Sequence, residues 1–148
     1  MPPIEEIREV AVRLLAAVLC GGLIGWNRER EDKPAGLRTH MLVSLGAASF
    51  TLVMLDLIRR YPGAAVEGDP TRIVHGIATG IGFLGAGSIW RSGGSVKGMT
   101  TAAGIWVVGA IGVACGAGLY VIAAIASLLT LAILSALVRL ERRGSPPR

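Results

Sequence analysis

Residues 80–87 read GIGFLGAG, and Gly80, Gly82 and Gly85 satisfy the G-x-G-x-x-G spacing of a dinucleotide-binding loop. How that stretch is read decides the fold. A phosphate loop must follow a β-strand, turn tightly where water reaches it and open a helix. An acidic residue for the ribose should follow about 20 positions later. Here the glycines sit in the middle of an uncharged apolar segment, residues 73–90, and the run near 100–110 is apolar again. The surroundings are those of a membrane span, and the glycines are expected to act mechanically.

Helical spacing gives them that role. Gly76 and Gly80 are four apart, as are Gly82 and Ala86, and Gly85 and Gly87 extend the small surface. Hydrogen-only side chains let helix backbones approach closely, so dispersion and Cα–H···O contacts replace contacts with lipid. Gly21 and Gly25 repeat the device upstream, and Gly104, Gly109, Gly112 and Gly116 repeat it downstream. The spacing predicts a compact bundle with the third span near its centre. A second reading stays open, in which the glycines loosen a helix and free carbonyls toward a cavity.

The composition agrees with a lipid solvent. Of 148 residues, 52% are hydrophobic and 17% charged, and mean hydropathy is +0.60. The net charge of +5 would suit nucleic acid only on a soluble basic face with aromatic readers. The basic residues instead flank apolar runs, so no nucleic-acid partner is expected. Cys20 and Cys115 lie inside apolar stretches and read as small packing residues. The N-terminus lacks the basic region and cleavage site of a signal peptide, so the first apolar stretch is expected to be retained.

Five spans follow: 10–26, 40–58, 73–90, 99–114 and 119–138. The last two come from one uncharged stretch, 98–138, about 60 Å long as a single helix. It must fold back, and Cys115-Gly116-Ala117-Gly118 is the expected break. Pro2 and Pro3 before Glu5 and Glu6, and Asp69-Pro70-Thr71, read as helix starts. Ten basic residues fall in the first loop (Arg28, Arg30, Lys33, Arg38), the third loop (Arg91, Lys97) and the tail (Arg139, Arg142, Arg143, Arg148). The other side holds Arg8, Arg13, Arg59, Arg60 and Arg72. The positive-inside rule then places the N-terminus outside and the C-terminus in the cytoplasm. The expected fold is an all-α integral membrane bundle over 1–143, with a short disordered tail at 144–148.

The blocks GGLIGWNREREDKPAGLRTHMLVSLGA (21–47), DPTRIVHGIATGIGFLGAGSIW (69–90) and VKGMTTAAGIWVVGAIGVACGAGLY (96–120) resemble the MgtC/SapB family of bacterial inner-membrane proteins. The likeness covers nearly the whole chain. It implies a role in growth at low magnesium. It also implies regulatory contacts with ATP synthase or a P-type transport ATPase rather than magnesium transport by the chain itself. The best-known members carry a soluble C-terminal domain that these 148 residues lack, so the expected likeness is to a membrane-only branch. Family members often have Glu where Asn27 stands and Gln where Gly76 stands.

Several side chains are candidates for chemistry. Arg28, Glu29 and Arg38 border apolar helices, where charged groups snorkel, pair or face a protein interior. Glu29 is expected to pair with Arg28 or Arg38 at a cytoplasmic mouth. Asp56 reads as an interfacial partner of Arg59 or Arg60, or else as a cation ligand. It is the only acid clearly inside an apolar segment, so a magnesium cage with its octahedral oxygen shell is not visible. Thr100 and Thr101 read as caps or interhelical hydrogen-bond donors, and otherwise as pore lining. His75 reads as a hydrogen-bonded residue, and Trp26, Trp90 and Trp106 as interface anchors or packing. No catalytic set, P-loop, metal site or cofactor is expected.

The favoured expectation is a regulatory or accessory membrane protein that self-associates as a homodimer or higher homo-oligomer, with membrane lipid around it. The alternative is a small channel or transporter for a cation or other solute, with Arg38, Asp56, Thr79, Thr100 and Thr101 along its path.

Overall fold

The computed structural model describes residues 4–61 and 71–137. The expected helix start at Asp69-Pro70 and the expected disordered tail lie outside the described residues. Five helices form: α1 (Ile4–Arg30), α2 (Leu37–Arg60), α3 (Thr71–Gly87), α4 (Met99–Gly116) and α5 (Tyr120–Ala132), the last running into a π-helical turn, Ile133–Leu137. GIGFLGAG lies inside α3, with no strand before it. The phosphate-loop reading is excluded.

The helix ends follow local chemistry. Glu5 and Glu6 occupy the first turn of α1 and Arg28 and Arg30 its last, both complementary to the helix dipole. Past Arg30 the chain turns through Asp32 at φ 50, a left-handed position short polar residues tolerate. Between α4 and α5 the break falls at 117–119, overlapping the expected 115–118 but later in the chain, since Cys115 and Gly116 still belong to α4. Gly118 adopts φ 77, and the Leu119 N–H donates to the Ala114 carbonyl at 2.8 Å, a Schellman closure.

One element is not helical. Trp90–Ser92 (β1) pairs antiparallel with Ser95–Lys97 (β2). Gly93 and Gly94 between them have φ 58 and 81. Positive φ at both central residues is what a two-residue hairpin demands, and glycine supplies it. The third loop is therefore a hairpin rather than an irregular link.

Packing centres on α4, which touches α1, α2, α3 and α5. The expectation that the third span is central is corrected. In α3 only Ile81 and Gly85 are buried, whereas much of α4 is buried, including Gly104, Gly109, Gly112 and Gly116. The small faces of α4 let α2 and α3 close on it at once. Contacts along the helices fix direction. Ser44, Ala48 and Thr51 of α2 run up α4 beside Gly112 and Gly116, so these two helices are parallel. Ile81 meets Gly109 and Gly85 meets Ala102, so α3 is antiparallel to α4. Arg59 at the end of α2 lies 3.6 Å from Glu6 at the start of α1. The core is one cluster around Ile24, Val108, Ile111 and Cys115, with Cys20 packed against it, and a smaller one around Ile81 and Ile105. Both cysteines are free. Helices α2 and α4 are each long and apolar enough to cross a bilayer.

Candidate functional site

The charged loop after α1 is held by Glu29. Its Oε2 accepts the Leu37 N–H at 2.7 Å, satisfying one of the free donors that open α2. A Cβ on Gly36 would collide with that same oxygen. Glu29 thus caps a helix, and among the described residues it makes no ion pair with Arg28 or Arg38. The expected pairing is corrected: a backbone donor takes its carboxylate.

Arg28 points the other way, into the bundle, and is 2% exposed. One guanidinium nitrogen donates to Glu31 Oε2 at 3.5 Å and another to Thr101 Oγ1 at 3.5 Å. Both bonds are at the long limit for a group with five N–H donors. Its Nε is buried with no acceptor.

Beside it stands His40, fully buried on α2. Its Nδ1 donates to the Gly36 carbonyl at 2.8 Å. That bond leaves Nε2 as an acceptor, and Nε2 is buried without a partner. One turn on, Ser44 Oγ is likewise buried and unpartnered. Other helix hydroxyls bond back to the carbonyl four residues earlier: Thr51 at 2.9 Å, Ser127 at 2.7 Å and Thr130 at 2.7 Å. Ser44 does not.

Glycines roof this pair. A Cβ on Gly21 would lie 2.6 Å from the His40 carbonyl oxygen and 2.9 Å from Ser44 Cβ. One on Gly25 would lie 2.8 Å from Leu37 Cα. On the α4 side Gly104 faces His40 Nε2. Arg28, His40, Ser44 and Thr101 therefore form a buried polar column where α1, α2 and α4 meet. Buried polar groups are normally satisfied, and a cluster with several open valences marks a site rather than packing.

The other expected residues lie apart. Arg38 and Thr100 are exposed. Asp56 accepts from Arg60 Nε at 2.6 Å at the far end of α2. Among the described residues no three His, Cys, Asp or Glu side chains gather as a metal site. Gly76, Gly80, Gly82 and Gly87 meet nothing within 4 Å of an added Cβ, so among the described residues they pack closely against no helix. The physical reason is that α3 leans on α4 only along its Ile77, Ile81 and Gly85 stripe.

Arg13, 15 residues before Arg28, offers a contrast. Its Nη1 donates to the Gly116 carbonyl at 2.8 Å, and it pairs with Glu9. A cation on the carbonyl end of α4 is in its preferred place. His40 and Ser44 were not singled out by the sequence. Their one signal is their i, i+4 spacing on the α2 face that continues to Ala48.

A glycine-seamed bundle of five helices around a buried arginine–histidine column, two of them long and apolar enough to cross a bilayer, makes this a small, mostly helical protein. The chain belongs to the MgtC family, whose pattern matches residues 14–143, and MgtC proteins are membrane proteins. Over 137 residues it is 44% identical to the protein MgtC of Brucella abortus strain 2308, covering 91% of this chain and 53% of that protein. It is 43% identical over 141 residues to the protein SrpB of Synechococcus elongatus, covering 90% and 77%. It is 39% identical over 141 residues to YhiD of Escherichia coli K12, provisionally titled a magnesium transporter, covering 91% and 63%. The chain thus spans about half the length of the Brucella relatives it matches. No solved structure matches it.

Proposed function

We propose that this chain is a five-span inner-membrane protein serving magnesium homeostasis as a regulatory or accessory factor, with its N-terminus outside and its C-terminus in the cytoplasm. The helix lengths support the spans. At about 1.5 Å per residue α3, with 17 residues, covers about 26 Å, close to the hydrocarbon thickness of about 30 Å, and α5, with 13 residues, reaches that length only together with the π-helical turn Ile133–Leu137. Outward-facing Leu19, Leu23, Phe50, Phe83, Val121 and Leu128 are exposed on four different helices. Such a surface suits lipid and not water. Trp26 and Trp90 flank the predicted cytoplasmic boundary.

The observation that carries the regulatory reading is Arg28. Among the described residues the buried charge inside the bundle is a cation, and the helices around it close through backbone contacts at Gly21, Gly25 and Gly112. A path for magnesium would need carboxylates or carbonyls there. The site suits a conformational or contact role, with ATP synthase or a P-type ATPase as the partners the family implies and a second copy as the homo-oligomeric one. The transport alternative draws on the open valences of His40 and Ser44.

Two measurements test this. A bacterial host deleted for its own copy should regain growth at low magnesium with the wild-type chain and lose it with Arg28→Gln, at equal protein level. Purified protein in liposomes should pass no more magnesium than empty liposomes. Flux that disappears with Arg28→Gln or Ser44→Ala would replace the regulatory reading with transport.

A further inference from the structure

Between α2 and α3 lies an open groove of about 720 Å³. Its walls include Leu42, Phe50 and Leu57 of α2, with Gly46, Gly76 and Gly80 as its small residues. Those three glycines have nothing within 4 Å of an added Cβ, so they deepen the groove instead of docking a neighbour. Among the described residues lining it the only charged side chain is Arg72. Arg72 sits at the end where α2 finishes and α3 begins, and no described residue pairs with it.

Length and charge together select the occupant. From Leu42 to Leu57 the groove runs about 22 Å at the helical rise, longer than one leaflet of a hydrocarbon core of about 30 Å. A methylene chain can lie along such a groove against the apolar walls of both helices. A single guanidinium at one end of an apolar trough complements an amphiphile with one anionic head. We infer that the groove seats an acyl chain of an anionic phospholipid, with the lipid phosphate on Arg72. The charge count of the loops puts that head in the outer leaflet. The inference rests on the membrane reading above and is independent of the regulatory one.

Native mass spectrometry of protein extracted from membranes of mixed phosphatidylglycerol and phosphatidylethanolamine tests it. The wild-type chain should retain a lipid, enriched about fivefold in phosphatidylglycerol over the bulk, the factor expected of one arginine at a membrane surface. Arg72→Gln should keep the lipid and return its composition to the bulk ratio. The double variant Gly76→Leu/Gly80→Leu fills the trough at positions where added side chains meet open space. It should fold, with wild-type helicity, and lose the lipid.

Equal lipid retention by that double variant, or an unchanged preference in Arg72→Gln, overturns the inference. So does efficient cross-linking of Gly80→Cys to a second copy in native membranes. Carbonate extraction separates the two possible failures. A chain that leaves the membrane fraction defeats the membrane reading, whereas one that stays there and retains no lipid defeats only the groove assignment.

Discussion

Helices α3 and α4 are both rich in glycine and read alike as small-residue strips, yet their glycines meet opposite surroundings. In α4, Gly112 presses on the Ser44 carbonyl and Gly116 on the Ala48 carbonyl, each with no room for a methyl. In α3, Gly76, Gly80, Gly82 and Gly87 face open space. A glycine seam is therefore a permission and not a contact. In α4 it lets α2 and α3 close on a third helix, and in α3 it leaves room for a trough beside α2.

The largest effect should come from filling the α4 seam. In Gly112→Ala the new Cβ meets α2 backbone and also lies 2.9 Å from Ala47 Cβ. Neither neighbour is a flexible chain end, so α2 and α4 must separate. The expected loss is about 3 kcal/mol or more, at the upper end of overpacking costs. It would appear as a large fall in the thermal midpoint of the detergent-solubilised protein. A midpoint within a degree or two of wild type would break the comparison, because α4 would then tolerate what α3 tolerates.

Arg13 sharpens the comparison from the end of the same seam. Its guanidinium holds the Gly116 carbonyl and packs over Gly118, 3.3 Å from where a Cβ there would lie. Arg13→Met keeps most of the volume but removes a charge-assisted bond to a helix C-terminus. About 2 kcal/mol should be lost, with Arg13→Lys recovering part of it. Thermal unfolding of the two variants side by side reads the difference. Equal stability of Met and Lys variants would mean the bond contributes nothing beyond packing.

The sequence makes the elements legible and hides their partners. Turn residues mark the break at 117–119, and apolar runs mark α2 and α4, because local chemistry alone sets those. The Gly93-Gly94 hairpin signal is also local, though a loop between two spans drew no attention to it. Which glycines touch something is not local. The i, i+4 spacing is the same in α1, α3 and α4, and only the tertiary arrangement decides what lies opposite. The candidate site divides the same way. Arg28 and Glu29 are neighbours in the chain but about 100° apart around α1, so one enters the bundle and the other caps α2. Thr100 and Thr101 divide likewise into exposed and buried. His40 is hidden for a further reason: a histidine at the head of an apolar run carries no sign that its carbonyl will lie under Gly21.

The smallest effect, and the one of opposite sign, belongs to α3. Gly80→Ala adds a methyl where nothing stands within 4 Å and replaces the residue of lowest helix propensity but one. Stability in detergent should hold or rise by about 0.5 kcal/mol, since the unfolded chain loses freedom and the folded one loses no contact. The same methyl narrows the trough at its middle, so lipid retention should fall even as the thermal midpoint holds. That split is the sharpest form of the contrast between the two helices. In α4 a methyl breaks the fold, whereas in α3 it touches only what the fold leaves room for. A Gly80→Ala protein that loses stability would show that α3 packs against something at this face, and a second copy of the chain would then be the first candidate for it.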